Sequence, residues 1–325
     1  MTVTTRAVAI GLGAALLQAL MLIAFAWPAA NIAPRDLPLV VTGPQAAIVA
    51  EQLNAHSPGA FEIDTVADAN AARAALADRD AYGVIVTGGG APQVLVASAA
   101  SPAVAQQLGQ IAAQLSGTPS AAVEDVVAAD VDDPRGTGFG AMVLPLVMAG
   151  IAAGAVLTLL IPSAAARATG TVVFAVAAGL LSMVIVQGWL SLLPGTYLEL
   201  AAVAGLACFA VTGFVTGLAT VVGRAGIGIA ALTMLLLGNP FSAATSAPEL
   251  LPQPWGAIGQ LLPPGAAASL FRSVAFFDGA GAVGPLVVLL VWSAVVVALF
   301  GIGIVRQRRV VDAPPATAPA VAMAD

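Results

Sequence analysis

Residues 137–161 read TGFGAMVLPLVMAGIAAGAVLTLLI, an unbroken apolar run without a single charged side chain. A bilayer core about 30 Å thick takes roughly 20 such residues to cross as a helix, and this run is long enough. Working outward, five more stretches have the same character: Ala7 to Trp27, Thr171 to Leu193, Leu200 to Val222, a run starting near Gly226, and Pro285 to Val305. The run from Gly226 is the weakest, because Gly238-Asn239-Pro240 should end or kink it. A helix satisfies its own backbone in lipid, so each run reads as a span. The expected fold is an α-helical integral membrane bundle of six transmembrane helices, with an extracytoplasmic α/β domain inserted between helices 1 and 2.

Composition agrees. Of the 325 residues, 59% are hydrophobic and 9% charged, against about 25% charged in ordinary globular chains. Mean hydropathy is +0.98. The formal net charge of −6 lacks the basic excess of a nucleic-acid binder, so no nucleic-acid partner is expected. A single cysteine, Cys208, and a single histidine, His56, leave no zinc cluster and no intrachain disulfide.

Arginine placement sets the orientation, because basic residues near span ends stay cytoplasmic. Arg6, Arg167, Arg224 and the Arg306, Arg308, Arg309 cluster then lie inside, with both termini. Residues 31–136 hold four arginines against twelve acids and fall outside. The domain boundaries follow: 1–30 is the cytoplasmic N-terminus and first helix, 31–136 the outer domain, and 137–305 a five-helix membrane domain. Residues 306–325 form an Arg-then-Ala/Pro-rich cytoplasmic tail, expected to be disordered. The first span is longer than a cleaved signal usually is, so it reads as an uncleaved anchor.

In the outer domain, runs at Leu37–Thr42, Phe61–Val66, Val84–Thr87 and Val94–Ala97 read as strands. Ala46, Val49 and Leu53 share one helical face, and Val104, Leu108, Ile111 and Leu115 another. A small mixed sheet covered by helices is expected, and a hundred residues suffice for a core that folds alone. Gly88-Gly89-Gly90 precedes a strand and no lysine exists, so it reads as a turn joining two strands rather than a phosphate loop. His56 has no nucleophile elbow beside it and reads as a surface or capping residue. Asp130, Asp132 and Asp133 lack a calcium loop's ligand spacing and read as a solvated connection. No catalytic, cofactor-binding or metal residue is expected, and no enzyme activity within the chain. Small-xxx-small spacings at Gly136/Gly140, Gly150/Gly154 and Gly213/Gly217 allow close helix approach.

The spans contain no carboxylate; Glu199 lies only at the outer mouth of the fourth. Ion-coupled carriers usually place ionisable groups deeper, so any transport would draw its energy from elsewhere. The segment at about 247–280 is the unusual one. It is too apolar for an outside loop, yet too short and broken to span. It reads as a hairpin that either dips into the outer leaflet or lies along it, anchored by Trp255 and Phe271. Candidate outer-mouth or hairpin residues are Glu199, Asn239, Pro240, Trp255, Pro263, Pro264, Gly265 and Arg272. Arg272 would either pair with Glu199, Glu249 or Asp278, or snorkel to headgroups.

This pattern resembles the ABC-2 type membrane proteins, including the YhgE/Pip (phage-infection-protein) group. The resemblance rests on Asp133-Pro134-Arg135-Gly136 leading into the second span, on Gly238-Asn239-Pro240 through Leu262-Pro263-Pro264-Gly265, and on Arg272-Ser273-Val274-Ala275-Phe276-Phe277. It implies a permease subunit that dimerises, sits among membrane lipids, and is powered in export by a separate cytoplasmic ABC ATPase. The departure is on the inner side: only Met1 to Arg6 precedes the first span, and the loop from Pro162 to Gly170 is brief, so an ATPase has little to dock on. The alternative is a non-transporting surface protein whose outer domain binds an envelope component, a partner protein or phage.

Overall fold

The structure is a computed structural model and describes residues 2–88, 92–116 and 123–311. Five helices are long and apolar enough to cross a membrane. These are α1 (Val3–Ala30), α5 (Thr137–Leu160), α6 (Ala164–Met183, continued by a π-helical turn Val184–Trp189), α7 (Tyr197–Val222) and α11 (Val283–Val311). The run from Gly226 forms α8 (Ala225–Leu232), which widens into a π-helical turn, Thr233–Gly238, and stops before Asn239-Pro240. At about 1.5 Å per residue it reaches only about 20 Å. The tail from residue 312, Gly89–Ala91 of the triple-glycine turn, and the side chain of Leu115 lie outside the described residues.

The centre of the bundle is α7, which packs against α5, α6 and α11. Gly179 shows how closely. A Cβ there would meet the Ala201 carbonyl oxygen of α7 at 2.4 Å, so only glycine permits this α6–α7 approach. Gly150 and Gly154 lie against Val211 and Val215 of α7, and Gly213 and Gly217 against Val296 and Leu299 of α11. Those spacings therefore serve packing within the chain. Gly140 faces Thr245, while Gly136 is a left-handed residue (φ 64°) just before α5. By contrast α1 is exposed along almost its whole length and touches the bundle chiefly at the turn after α8.

The expected inner arginines close helix ends. Arg167 donates to the Ile161 and Thr158 carbonyls at the end of α5, at 2.6 and 2.9 Å, and Arg306 to Val221 near the end of α7, at 3.0 Å. A guanidinium there complements the exposed carbonyls and the negative end of the dipole. At the opposite end Asp133 differs from expectation. It is buried, and its carboxylate accepts from the Phe139 amide at 2.7 Å and the Thr137 hydroxyl at 3.3 Å. This acid caps α5 rather than lying in a solvated connection.

The sheet has five strands in the order β2-β1-β3-β4-β5. They are β1 (Leu37–Thr42), β2 (Phe61–Val66), β3 (Gly83–Val86), β4 (Gln93–Val96) and β5 (Val123–Asp125). The first four are close to those expected; the short, exposed β5 has no apolar run to announce it. β1 lies parallel to β2 and β3, β3 antiparallel to β4, and β4 parallel to β5. Helices cover both faces, so the central strands are apolar on both sides. Leu37, Leu39, Val41 and Ile85 pack with Val49 of α2 (Ala46–His56) and Val104 and Leu108 of α4 (Pro102–Ser116). Val40, Val84 and Leu95 pack on the other face with Ala72 and Leu76 of α3 (Ala69–Ala77).

Neither core closes within residues 31–136. Ala247 and Leu250 complete the first, and Phe277 completes the second. The connection after α1 adds backbone bonds, with Ala33 and Arg35 amides donating to the Leu250 and Glu249 carbonyls at 3.0 Å each. The expectation of a domain that folds alone thus meets a sheet whose two cores borrow residues from more than a hundred positions away.

Candidate functional site

The segment after Pro240 makes α9 (Trp255–Gln260) and α10 (Pro263–Phe276). Two glycines allow it to fold back so tightly. A Cβ on Gly259 would lie 1.8 Å from the Phe241 carbonyl oxygen, and one on Gly265 would lie 2.2 Å from that of Gly259. Trp255 stacks on Phe241, with ring centroids 5.3 Å apart. Pro263 and Pro264 start α10, where a missing N–H costs nothing.

The tip of this hairpin sits beside the middles of the long helices. Pro263 and Pro264 line one small hollow with Val147 of α5 and Cys208 of α7. The indole of Trp292 on α11 donates to the Leu261 carbonyl at 2.9 Å. Counting turns, these three positions lie about 15 Å along their helices from the end nearest the sheet. Pro264 also fits against Gly238, so the short helix α8 with its turn ends on the hairpin tip. From there α10 climbs back, and Phe277 enters the core of the sheet domain.

Where hairpin and sheet domain meet there is a polar cavity of about 420 Å³. Arg79, Tyr82, Glu249, Gln260, Ser269 and Arg272 supply its polar walls. Arg272 is buried, at 4% exposure. Its guanidinium donates to the carbonyls of Ala243 (3.2 Å) and Ala244 (2.7 Å), and lies 4.7 Å from the ring centroid of Phe139. Among the described residues the one ion pair is Arg73–Glu124. Arg272 therefore neither pairs with Glu199, Glu249 or Asp278 nor reaches out to headgroups. Carbonyl dipoles and a π face solvate it instead.

Arg79 comes from the tight turn after α3 and has a left-handed backbone (φ 64°). It reaches across to α10, donating to the Ser269 carbonyl at 3.1 Å and to the Ser273 hydroxyl, with Phe277 5.3 Å from its guanidinium carbon. Burial lowers the pKa of Arg79 from its ordinary value. Tyr82 donates to the Glu249 carboxylate at 2.9 Å. Burial first, then that carboxylate, raise the pKa of the phenol well above its ordinary value. Gln260 accepts from the Ser269 hydroxyl at 2.7 Å and donates to the Ser242 carbonyl at 3.1 Å.

Of the expected residues, Pro263, Pro264, Gly265 and Arg272 come together in the buried hairpin, with Asn239, Pro240 and Trp255 half-buried around it. Glu199 stands apart, exposed in the first turn of α7. Arg79, Tyr82, Gln260 and Ser269 were not legible as site residues: Arg79 comes from a turn and Tyr82 from the position just before β3, and only docking brings them to α10. His56 is exposed and bonds to the Gln52 carbonyl of its own helix at 2.9 Å, and Cys208 is buried in the bundle. Among the described residues no group of acids, histidines or cysteines could hold a metal.

Nothing matches this chain in comparisons with protein-family models, characterised proteins and solved structures. The functional reading therefore rests on the geometry and on the sequence resemblance.

Proposed function

We propose that the chain is a permease subunit of ABC-2-like type, serving export across the cell membrane and powered by a separate ATPase. In this reading α8 with its turn makes a sixth, short crossing, both termini are cytoplasmic, and the sheet domain is extracytoplasmic. What supports it is the hairpin α9–α10, whose tip lies beside the middles of α5, α7 and α11 and whose other end is held by the sheet domain. Broken backbone at membrane depth is tolerated where protein buries it, and transporters build substrate routes from such discontinuous helices. A hairpin meeting a short helix end-on is an element that a conformational change could move.

A second reading has its own support. The connections on the arginine-bearing side are very short, with three residues between α5 and α6 and two between α7 and α8. That leaves little surface for an ATPase and favours a non-transporting protein whose outer domain binds an envelope component, a partner or phage. Affinity capture of the full chain from native membranes separates the two. A stoichiometric ATPase is expected for the permease, and repeated capture of envelope components without one would overturn it. Phosphatase fusions test the topology separately: one at Gly117 should be active and one after Asp325 inactive.

A further inference from the structure

The polar cavity between the sheet domain and the hairpin has a charge balance that points to a ligand. Two guanidiniums, Arg79 and Arg272, line it against one carboxylate, Glu249, and that carboxylate is already engaged by the Tyr82 hydroxyl. Among the described residues, only Nη1 of Arg79 bonds to protein, and only Nη1 and Nη2 of Arg272 do. The remaining N–H groups of both have no hydrogen-bond acceptor among the described residues. An arginine's planar fork suits a phosphate oxygen pair, and charge-assisted bonds of this kind are the strong ones. The first turn of α11 also lines the cavity through Gly284 and Pro285, adding the positive end of a long helix dipole.

The other walls are apolar. Leu261 and Val288 line the same cavity, and Leu261 is 63% exposed. One and two turns on from Val288, the same side of α11 presents exposed Val291 and Val295. A cationic interior opening onto an apolar helix face has the chemistry of an amphiphile site. We infer that this cavity binds the phosphate of an anionic amphiphile, the headgroup held by Arg79 and Arg272 and the chains lying along α11 beside Leu261. This rests on the membrane placement proposed above but not on any ATPase, so capture of an ATPase and binding of lipid can fail independently.

The test uses the purified full chain, delipidated in neutral detergent. Binding of phosphatidylglycerol and phosphatidylcholine is measured by native mass spectrometry and by thermal stabilisation, with inorganic phosphate as a parallel probe. Phosphatidylglycerol should bind at least about tenfold tighter than phosphatidylcholine, whose phosphate is offset by a choline cation that the two guanidiniums repel. Arg79→Gln should abolish the preference, Arg79→Lys should keep most of it, and Glu249→Gln should strengthen it by removing the opposing charge. That opposed pair of effects is not produced by simple loss of fold, which would weaken both. Arg79-dependent stabilisation by inorganic phosphate alone would support the site with a free anion as its source. Equal binding of the two lipids, an undiminished preference in Arg79→Gln, or weakened binding in Glu249→Gln would overturn the inference.

Discussion

The docking of the sheet domain on the hairpin can be broken from either face of the sheet. Leu250 is fully buried in the core beneath α2 and α4, and Phe277 is 5% exposed in the core beneath α3. Truncating a buried leucine or phenylalanine to alanine costs about 3 kcal/mol or more, the transfer and cavity terms together. Phe277→Ala should lose up to about 1 kcal/mol more, because the Arg79 guanidinium above its ring is left without that face. Tyr82 is the one side chain packed against both clusters among the described residues. The double variant should therefore come within about 1 kcal/mol of the sum, about 6 kcal/mol. That is as large as the whole stability of many domains, so the double variant should release the sheet domain altogether. Amide hydrogen exchange on the detergent-solubilised chain reads this directly. Protection in β1 and β3 should fall roughly a hundredfold in each single variant, while protection in α7 stays. Val131→Ala, at a side chain 90% exposed, should change nothing. The reasoning is refuted if Leu250→Ala and Phe277→Ala leave β1 and β3 protection within about threefold of the parent, for the domain would then hold its own core.

Three further outcomes follow from single groups. Asp133→Ala should lower stability by about 1–2 kcal/mol through loss of the cap on α5, with Asp133→Asn intermediate; an Asp133→Asn variant melting with the parent would show that the charge adds nothing. Thr212→Val should be neutral or stabilising by up to about 1 kcal/mol, because the buried Thr212 hydroxyl has no hydrogen-bond partner among the described residues; a clear loss of melting temperature would contradict this. Tyr82 is an acid whose folded-state pKa lies above its ordinary 10.0. Its contribution should be complete below about pH 10 and be lost as pH rises beyond that. The stability gap between the parent and Tyr82→Phe should narrow from pH 9 to pH 11, and a gap independent of pH would refute the coupling.

Much of this molecule was readable along the chain. Hydropathy runs and helical or two-residue periods are local properties, so the long helices, the strands β1 to β4 and the buried faces of α2 and α4 appear without any tertiary information. The weakness of the run from Gly226 was also visible, because Asn239-Pro240 acts on its own neighbours. What the chain order could not show is the site. Arg79 and Tyr82 lie in a turn and just before a strand, where no periodicity singles them out, and they meet Glu249, Ser269 and Arg272 only after the sheet domain docks. Arg272 was singled out as the lone charge of an apolar segment, but its expected carboxylate partner depended on distances that a sequence does not carry. Two backbone carbonyls and Phe139 took that place because the hairpin folds back onto residues 241–244. Likewise Asp133 looks like one of three solvated acids until the first turn of α5 closes on it. Composition and period determined which segments are helix, strand or membrane-like, since water and lipid act on each segment separately. Tertiary packing decided which polar groups are buried together, since that depends on contacts between segments far apart in the chain.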